Sequence, residues 1–162
     1  MAEISRVGVV GLGTMGAGIA QVCLQAGLEV VGREVEPELG EAARGRIDHY
    51  LSRGVEKGRL TADEKDAALG RLTAVTDLSE LADCQLVIEA VFEELEVKRE
   101  TFAALDGIVA PEAILATNTS ALSVTDVAEA TQRPERVVGC LRPGCDVVYG
   151  VDRSCRIRTP SW

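Results

Sequence analysis

Short apolar runs alternate along this chain with longer stretches whose apolar positions recur every three or four residues. Val7 to Val10 is the first run, bounded by Gly11, the pattern of a strand buried on both faces. From Thr14 to Ala26, Ile19, Ala20, Cys23 and Leu24 fall at helical spacing, and Gly27 supplies a C-cap. Glu29 to Arg33 predicts a second strand. Pro37 suits a first helical turn, and the helical pattern runs from about Leu39 to Gly54. "TADE" at Thr61–Glu64 is a capping box that opens another helix to Leu69. Leu72 to Thr76 predicts strand three, with Asp77 capping a turn of helix after it. "QLVIEAV", Gln85 to Val91, predicts strand four, and an amphipathic helix follows over Leu95 to Val109. Ala113 to Thr117 predicts strand five, Ser123–Asp126 caps a short helix to Ala130, and Arg136 to Cys140 predicts strand six. This alternation of strand and helix argues an α/β fold, a doubly wound parallel sheet.

Composition agrees and adds limits. A chain of 162 residues holds one domain with a real core. Its apolar fraction is 46% with only 3% aromatic, so the core is built from Val, Leu, Ile and Ala. The net charge of −9 argues against nucleic acid or an anionic membrane surface as the main partner. No apolar run approaches the roughly 20 residues of a membrane span. The N-terminus enters a strand at once and leaves no room for a secretory leader, so a cytoplasmic location is expected. Cys23 and Cys84 read as small core residues. Cys140, Cys145 and Cys155 match no zinc-ligand spacing, so no metal is expected, and reduced thiols are the better reading.

Chemistry enters with "VGVVGLGTMGAG", which sets Gly11, Gly13 and Gly16 at GxGxxG spacing between a strand and a helix. Gly11 allows the tight turn, Gly13 lets backbone approach a pyrophosphate, and Gly16 permits close helix–strand packing. The helix N-terminus adds unpaired N–H groups and a positive dipole end for the phosphates. The stretch Gly11, Leu12, Gly13, Thr14, Met15 and Gly16 is therefore the predicted cofactor cradle of a Rossmann-type fold. Glu34, at the end of strand two, is the acidic residue expected to take the adenosine ribose hydroxyls and repel a 2′-phosphate, which favours NAD over NADP. Arg33 beside it is the residue that would serve NADP instead. A short-chain dehydrogenase is poorly supported, because the fourth residues after Tyr50 and Tyr149 are Gly54 and Arg153, not lysine.

"VGVVGLGTMGAGIAQV", "LVIEAVFEELEVKRE" and "ILATNTSALSV" together resemble the 3-hydroxyacyl-CoA dehydrogenase family, over residues 5 to about 139. The resemblance implies an NAD-binding domain with a helical arm after strand two, in an enzyme that oxidises a 3-hydroxyacyl-CoA to a 3-oxoacyl-CoA. It makes Glu93 and Lys98 cofactor contacts. Ser120 corresponds to the serine that hydrogen-bonds the substrate's 3-oxygen, and Lys57 to a lysine that meets the coenzyme A phosphates. Asn118 and Ser120 follow strand five, at the carboxyl ends where α/β sheets bind ligands. Without the resemblance, Glu93 and Lys98 read as a solvated pair at a helix start, and Thr119 and Ser120 as a capped turn.

Beyond Gly139 the pattern departs from the family's "G-x-H-F-F-N-P" loop. Leu141 stands where the general-base His belongs, Gly144 where the Asn belongs, and Arg153 where a glutamate orients the His. The sole histidine, His49, falls in the helical arm and reads as a helix surface residue. Residues 140–162 carry four Arg against two Asp, in a chain otherwise rich in carboxylates. The expected division is a dinucleotide-binding domain over residues 1–140 and a divergent, loosely held tail over 141–162. A shifted reading frame would produce such a switch; a genuinely divergent tail is the other reading. The family's helical C-terminal domain, which carries its dimer interface, has no counterpart in these residues. Two functions follow as alternatives: a 3-hydroxyacyl-CoA dehydrogenase, or a non-catalytic dinucleotide-binding module.

Overall fold

The computed structural model describes residues 4–140 and 148–150. The elements in chain order are β1 (Arg6–Val10), α1 (Thr14–Gln25), β2 (Glu29–Arg33), α2 (Pro37–Glu56), α3 (Ala62–Gly70), β3 (Leu72–Val75), β4 (Leu86–Glu89), α4 (Leu95–Asp106), β5 (Ile114–Thr117), α5 (Val124–Ala128), β6 (Val137–Cys140) and β7 (Val148–Gly150). The strands form one sheet in the order β3-β2-β1-β4-β5-β6-β7. The first six are parallel and β7 runs antiparallel to β6. The chain thus winds outward from β1 in one direction and restarts at β4 in the other. That reversal opens a crevice at the carboxyl ends of β1 and β4.

Alternation along each strand feeds two cores. Val7, Val9, Val30, Leu86 and Ile88 face α1 and α2 and pack with Leu24, Ile47 and Leu51. Val10, Val31, Val87 and Leu115 face the other way, onto Phe102 and Leu105 of α4 and Val127 of α5. Burial on both faces is why these strands read as unbroken apolar runs. Cys84 is part of the second core, and burial pushes its thiol up to about 11, with Arg6 lowering and Asp83 raising it to a lesser degree. No helix among the described residues is long and apolar enough to cross a membrane.

The predicted elements are all present, with shifted ends. The arm helix runs Pro37–Glu56, longer at both ends than 39–54, with Pro37 in its first turn. The helix after β4 stops at Asp106 rather than Val109, with Gly107 as C-cap, although Val109 is still buried. The capping box at Thr61–Glu64 forms as read, and Asp77 and Ser123 accept from the N–H groups of Ser79 and Asp126. One strand goes beyond expectation. The sequence predicts only a loosely held tail after residue 140, yet Val148–Gly150 pairs with β6, Val148 opposite Cys140. The remainder of the expected loose tail, with Leu141, Gly144 and Arg153, lies outside the described residues.

Candidate functional site

The glycine loop is shaped by side chains that are absent. Gly11 holds a φ of +86°, and a Cβ there would sit 2.8 Å from the Ala90 carbonyl oxygen. A Cβ on Gly16 would lie 1.7 Å from the Gly11 oxygen, so helix α1 can pack against the turn only with glycine at this position. Gly13 is different. A Cβ there would meet nothing within 4 Å, so its backbone faces open space. Gly13 is the N-cap of α1, and no side chain caps the helix. The first helical bond runs from the Ala17 N–H to the Gly13 carbonyl, which leaves the N–H groups of Thr14, Met15 and Gly16 without acceptors among the described residues. Thr14 and Met15 are exposed. An unpartnered helix start beside a backbone that nothing covers fits a diphosphate.

Leu12 is the anchor of this loop. Its side chain is fully buried over Gly32, where a Cβ would come within 2.6 Å of it. Its N–H donates to Glu34 Oε1 at 2.5 Å, and its carbonyl accepts from the Arg46 guanidinium at 2.7 Å. Glu34 is therefore beside the cradle, where a ribose-binding carboxylate belongs, with a weaker bond from the Val35 N–H to Oε2 at 3.3 Å. Arg33 is engaged elsewhere, its Nε donating to the Thr76 carbonyl at 3.0 Å.

Across the crevice the site is ionic. Register places Glu89, the last residue of β4, between Val10 of β1 and Thr117 of β5. Glu89 is fully buried. Its Oε1 accepts from Lys98 Nζ and from the Val91 N–H, each at 2.7 Å, and its Oε2 accepts from Thr117 Oγ1 at 2.7 Å. Lys98 on α4 is fully buried too, and also reaches Glu93 Oε2 at 3.2 Å. Glu93 in turn accepts a short hydrogen bond from Thr119 Oγ1. Burial pushes the Glu93 carboxyl up, but hydrogen bonds from Thr119 and Lys98, the Lys98 charge and the Ser120 N–H outweigh it and hold the carboxyl below its usual range. Thr119 also accepts from the Leu122 N–H at 3.0 Å, which turns the chain and leaves Ser120 exposed.

This geometry corrects the solvated-pair reading of Glu93 and Lys98, because the ammonium has no exposed surface. Asn118, Ser120, Glu93 and Lys98 are brought together at the carboxyl ends of β4 and β5. Lys57 is not. It is the exposed C-cap of α2, a helix that starts beside Ala74 at Gly40 and reaches the Leu72 carbonyl from Arg44, hence runs antiparallel to β3. Thirteen residues beyond Arg44, Lys57 lies roughly 20 Å further along the axis. His49 is exposed on the same helix, its ring beside Tyr50, as expected of a surface residue. Arg46, Gly32, Glu89 and Thr117 were missed. Glu89 had a signal: a carboxylate inside an apolar run demands a buried partner.

Residues 6–140 match the family model described as 3-hydroxyacyl-CoA dehydrogenase, NAD binding domain. A 3-hydroxybutyryl-CoA dehydrogenase of Mycobacterium tuberculosis is 53% identical over 137 residues, which are 84% of this chain and 48% of that protein. The solved structure of M. tuberculosis FadB2 superposes with a TM-score of 0.83 at 52% identity, covering 85% of this chain and 49% of the other. (S)-3-hydroxybutyryl-CoA dehydrogenase from Ralstonia eutropha gives 0.82 at 37%, covering 85% and 48%. The chain thus spans about half the length of the relatives it matches. It belongs to the NAD-binding-domain family of the 3-hydroxyacyl-CoA dehydrogenases.

Proposed function

We propose that this chain is the nucleotide-binding half of an enzyme that oxidises the 3-hydroxyl of an acyl-CoA in the cytoplasm, with NAD as hydride acceptor. The observation that carries the reading is the juxtaposition of two halves of one crevice. An open helix start with free N–H groups at Thr14, Met15 and Gly16 lies on one side, and the Glu89–Lys98–Glu93 cluster with Ser120 lies on the other. When bound, the nicotinamide supplies the hydride chemistry. The chain's own residues then divide the remaining work. The loop N–H groups and the dipole of α1 hold the diphosphate. Glu34 takes the adenosine ribose and repels a 2′-phosphate. Glu93 and Lys98 form a fixed pair toward the other ribose, and Ser120, exposed beside Asn118, offers a hydroxyl to the substrate oxygen. Lys57 at the end of the arm would meet the far phosphates of an extended coenzyme A.

We propose further that this chain by itself binds but does not turn over. Leucine at 141 has no lone pair to take the hydroxyl proton, and removing a positioned base costs about 10²–10⁴-fold in rate. Titrating the purified chain with NAD and NADP tests the binding reading, and tighter NADP binding would refute the role of Glu34. Acetoacetyl-CoA reduction followed by NADH absorbance tests the second part. An enzyme-like rate would show that another residue acts as base, with His49 the first to examine.

A further inference from the structure

We infer that Glu89 is a positioning residue that sets the site's preference between oxidised and reduced nicotinamide. The inference rests on the cofactor reading above. Three donors converge on Glu89: the Lys98 ammonium and the Val91 N–H on Oε1, and the Thr117 hydroxyl on Oε2. With the Lys98 ammonium at 2.7 Å, Glu89 is the anion of a buried ion pair. The single ammonium of Lys98 serves two carboxylates, Glu89 at 2.7 Å and Glu93 at 3.2 Å. The cluster thus holds one negative charge more than positive. Arg99, the next cation on α4, is engaged by the Asp126 carbonyl at 3.0 Å and joins neither carboxylate.

Position gives that excess charge its consequence. Glu89 and Lys98 have no exposed surface, whereas the Glu93 side chain is 42% exposed, so the surplus emerges at the crevice. With the diphosphate on α1 and the adenosine on Glu34 at β2, the nicotinamide half extends over the carboxyl ends of β4 and β5. The oxidised ring is a cation and the reduced ring is neutral. A surplus anion in a partly buried setting therefore favours the oxidised form. Glu89 maintains the surplus by neutralising Lys98. Without it the ammonium would neutralise Glu93 and the preference would vanish.

The test is calorimetric titration of the full chain with NAD+ and NADH. Glu89→Gln keeps the shape and removes one negative charge, so the ratio Kd(NAD+)/Kd(NADH) should rise roughly three- to tenfold. Adding Lys98→Met removes one positive charge as well, and the ratio should return to within about twofold of the unchanged chain. A role in folding alone would weaken both nucleotides by one factor and leave the ratio unmoved, which would overturn the inference. If the single variant does not fold, the double variant, a neutral replacement of a buried pair, and Glu93→Gln at an exposed carboxylate carry the test. Glu93→Gln must raise the ratio and the double variant must not; either failure overturns the inference. Absence of binding to the unchanged chain would refute the cofactor reading, and this inference with it. Binding with an unmoved ratio refutes this inference alone.

Discussion

Around the glycine loop, geometry is set by backbone and by missing side chains, whereas across the crevice, at the ends of β4 and β5, it is set by a buried ion pair and the partly exposed carboxylate beside it. On the first side, Gly11 and Gly16 let the turn, helix α1 and Ala90 approach within distances no Cβ allows. The groups proposed to bind there are N–H dipoles that need no partner in the protein. On the second side, Glu89 and Lys98 are fully buried and each needs the other. The two sides therefore fail differently. Loss of a glycine costs a clash that local movement relieves in part, but loss of one buried ion leaves its partner uncompensated.

The largest effect is accordingly expected on the ionic side. Lys98→Met leaves the Glu89 carboxylate buried without its cation and should cost about 3–5 kcal/mol of stability by denaturant unfolding. The Glu89→Leu, Lys98→Met double variant should recover most of that loss, since an apolar pair of similar volume is tolerated where a half-pair is not. A single variant as stable as the parent would mean that the pair contributes little, and the contrast between the two sides would collapse.

On the glycine side, two substitutions separate packing from binding. Gly16→Ala puts a methyl 1.7 Å from the Gly11 oxygen and should destabilise by about 1–3 kcal/mol while also weakening NAD. Gly13→Ala meets nothing in the folded chain and should change stability by under about 0.5 kcal/mol, yet its methyl would enter the space proposed for the diphosphate. Calorimetric NAD titration should show a loss of roughly tenfold or more for Gly13→Ala, the cost of a steric clash at the phosphates. Equal effects of both on stability would refute the assignment of Gly13 to binding.

The same contrast explains which parts of the site were legible in the sequence. Glycine-based geometry leaves a spacing, so "GLGTMG" between an apolar run and a helical pattern was enough to mark the turn before α1, and Glu34, which the structure sets against that turn, was singled out by its distance along the chain. The doubly wound parallel sheet followed from the alternation of strand and helix, whereas the order of its strands is seen only in the structure. The ionic half leaves only isolated residues. Glu89 and Thr117 meet because β4 and β5 pair in one register, which no local pattern encodes. Glu93 and Lys98 were singled out by resemblance, and the burial of Lys98 was not foreseen because charged side chains at a helix start ordinarily face water. Arg46 lies 34 residues from the Leu12 carbonyl that it holds, and nothing in its own helix marks it. The pairing of Val148–Gly150 with β6 escaped because three residues in a basic, proline- and glycine-containing stretch carry no strand period.

Arg46 gives a smaller and more specific test on the glycine side. Its guanidinium donates to the Leu12 carbonyl at 2.7 Å, one hydrogen bond at a partly exposed site. Arg46→Ala should cost about 1 kcal/mol or less in urea unfolding and weaken NAD a few-fold, by loosening the loop that carries the N–H groups. A weakening of NAD with no change in stability would mean that Arg46 touches the phosphates directly.

The smallest expected effect is the one that depends on pH. Glu93 is held below the usual carboxylate range although burial alone would raise it, because Thr119, Lys98 and the Ser120 N–H all favour its ionised form. A carboxyl lowered by folding contributes stability that is fully present above its unfolded pKa and is lost as pH falls through the folded value. With 42% of the side chain exposed, solvent screens the pair, so Glu93→Gln should cost under about 1 kcal/mol at pH 7. The gap between variant and parent should then close progressively below about pH 4, as the parent's own carboxyl takes up its proton. Urea midpoints measured at pH 7 and at stepwise lower pH read this directly. A gap that stays constant through the acid range would mean that Glu93 acts only as a neutral acceptor for Thr119. The ionic character of this side of the crevice would then reside in Glu89 and Lys98 alone.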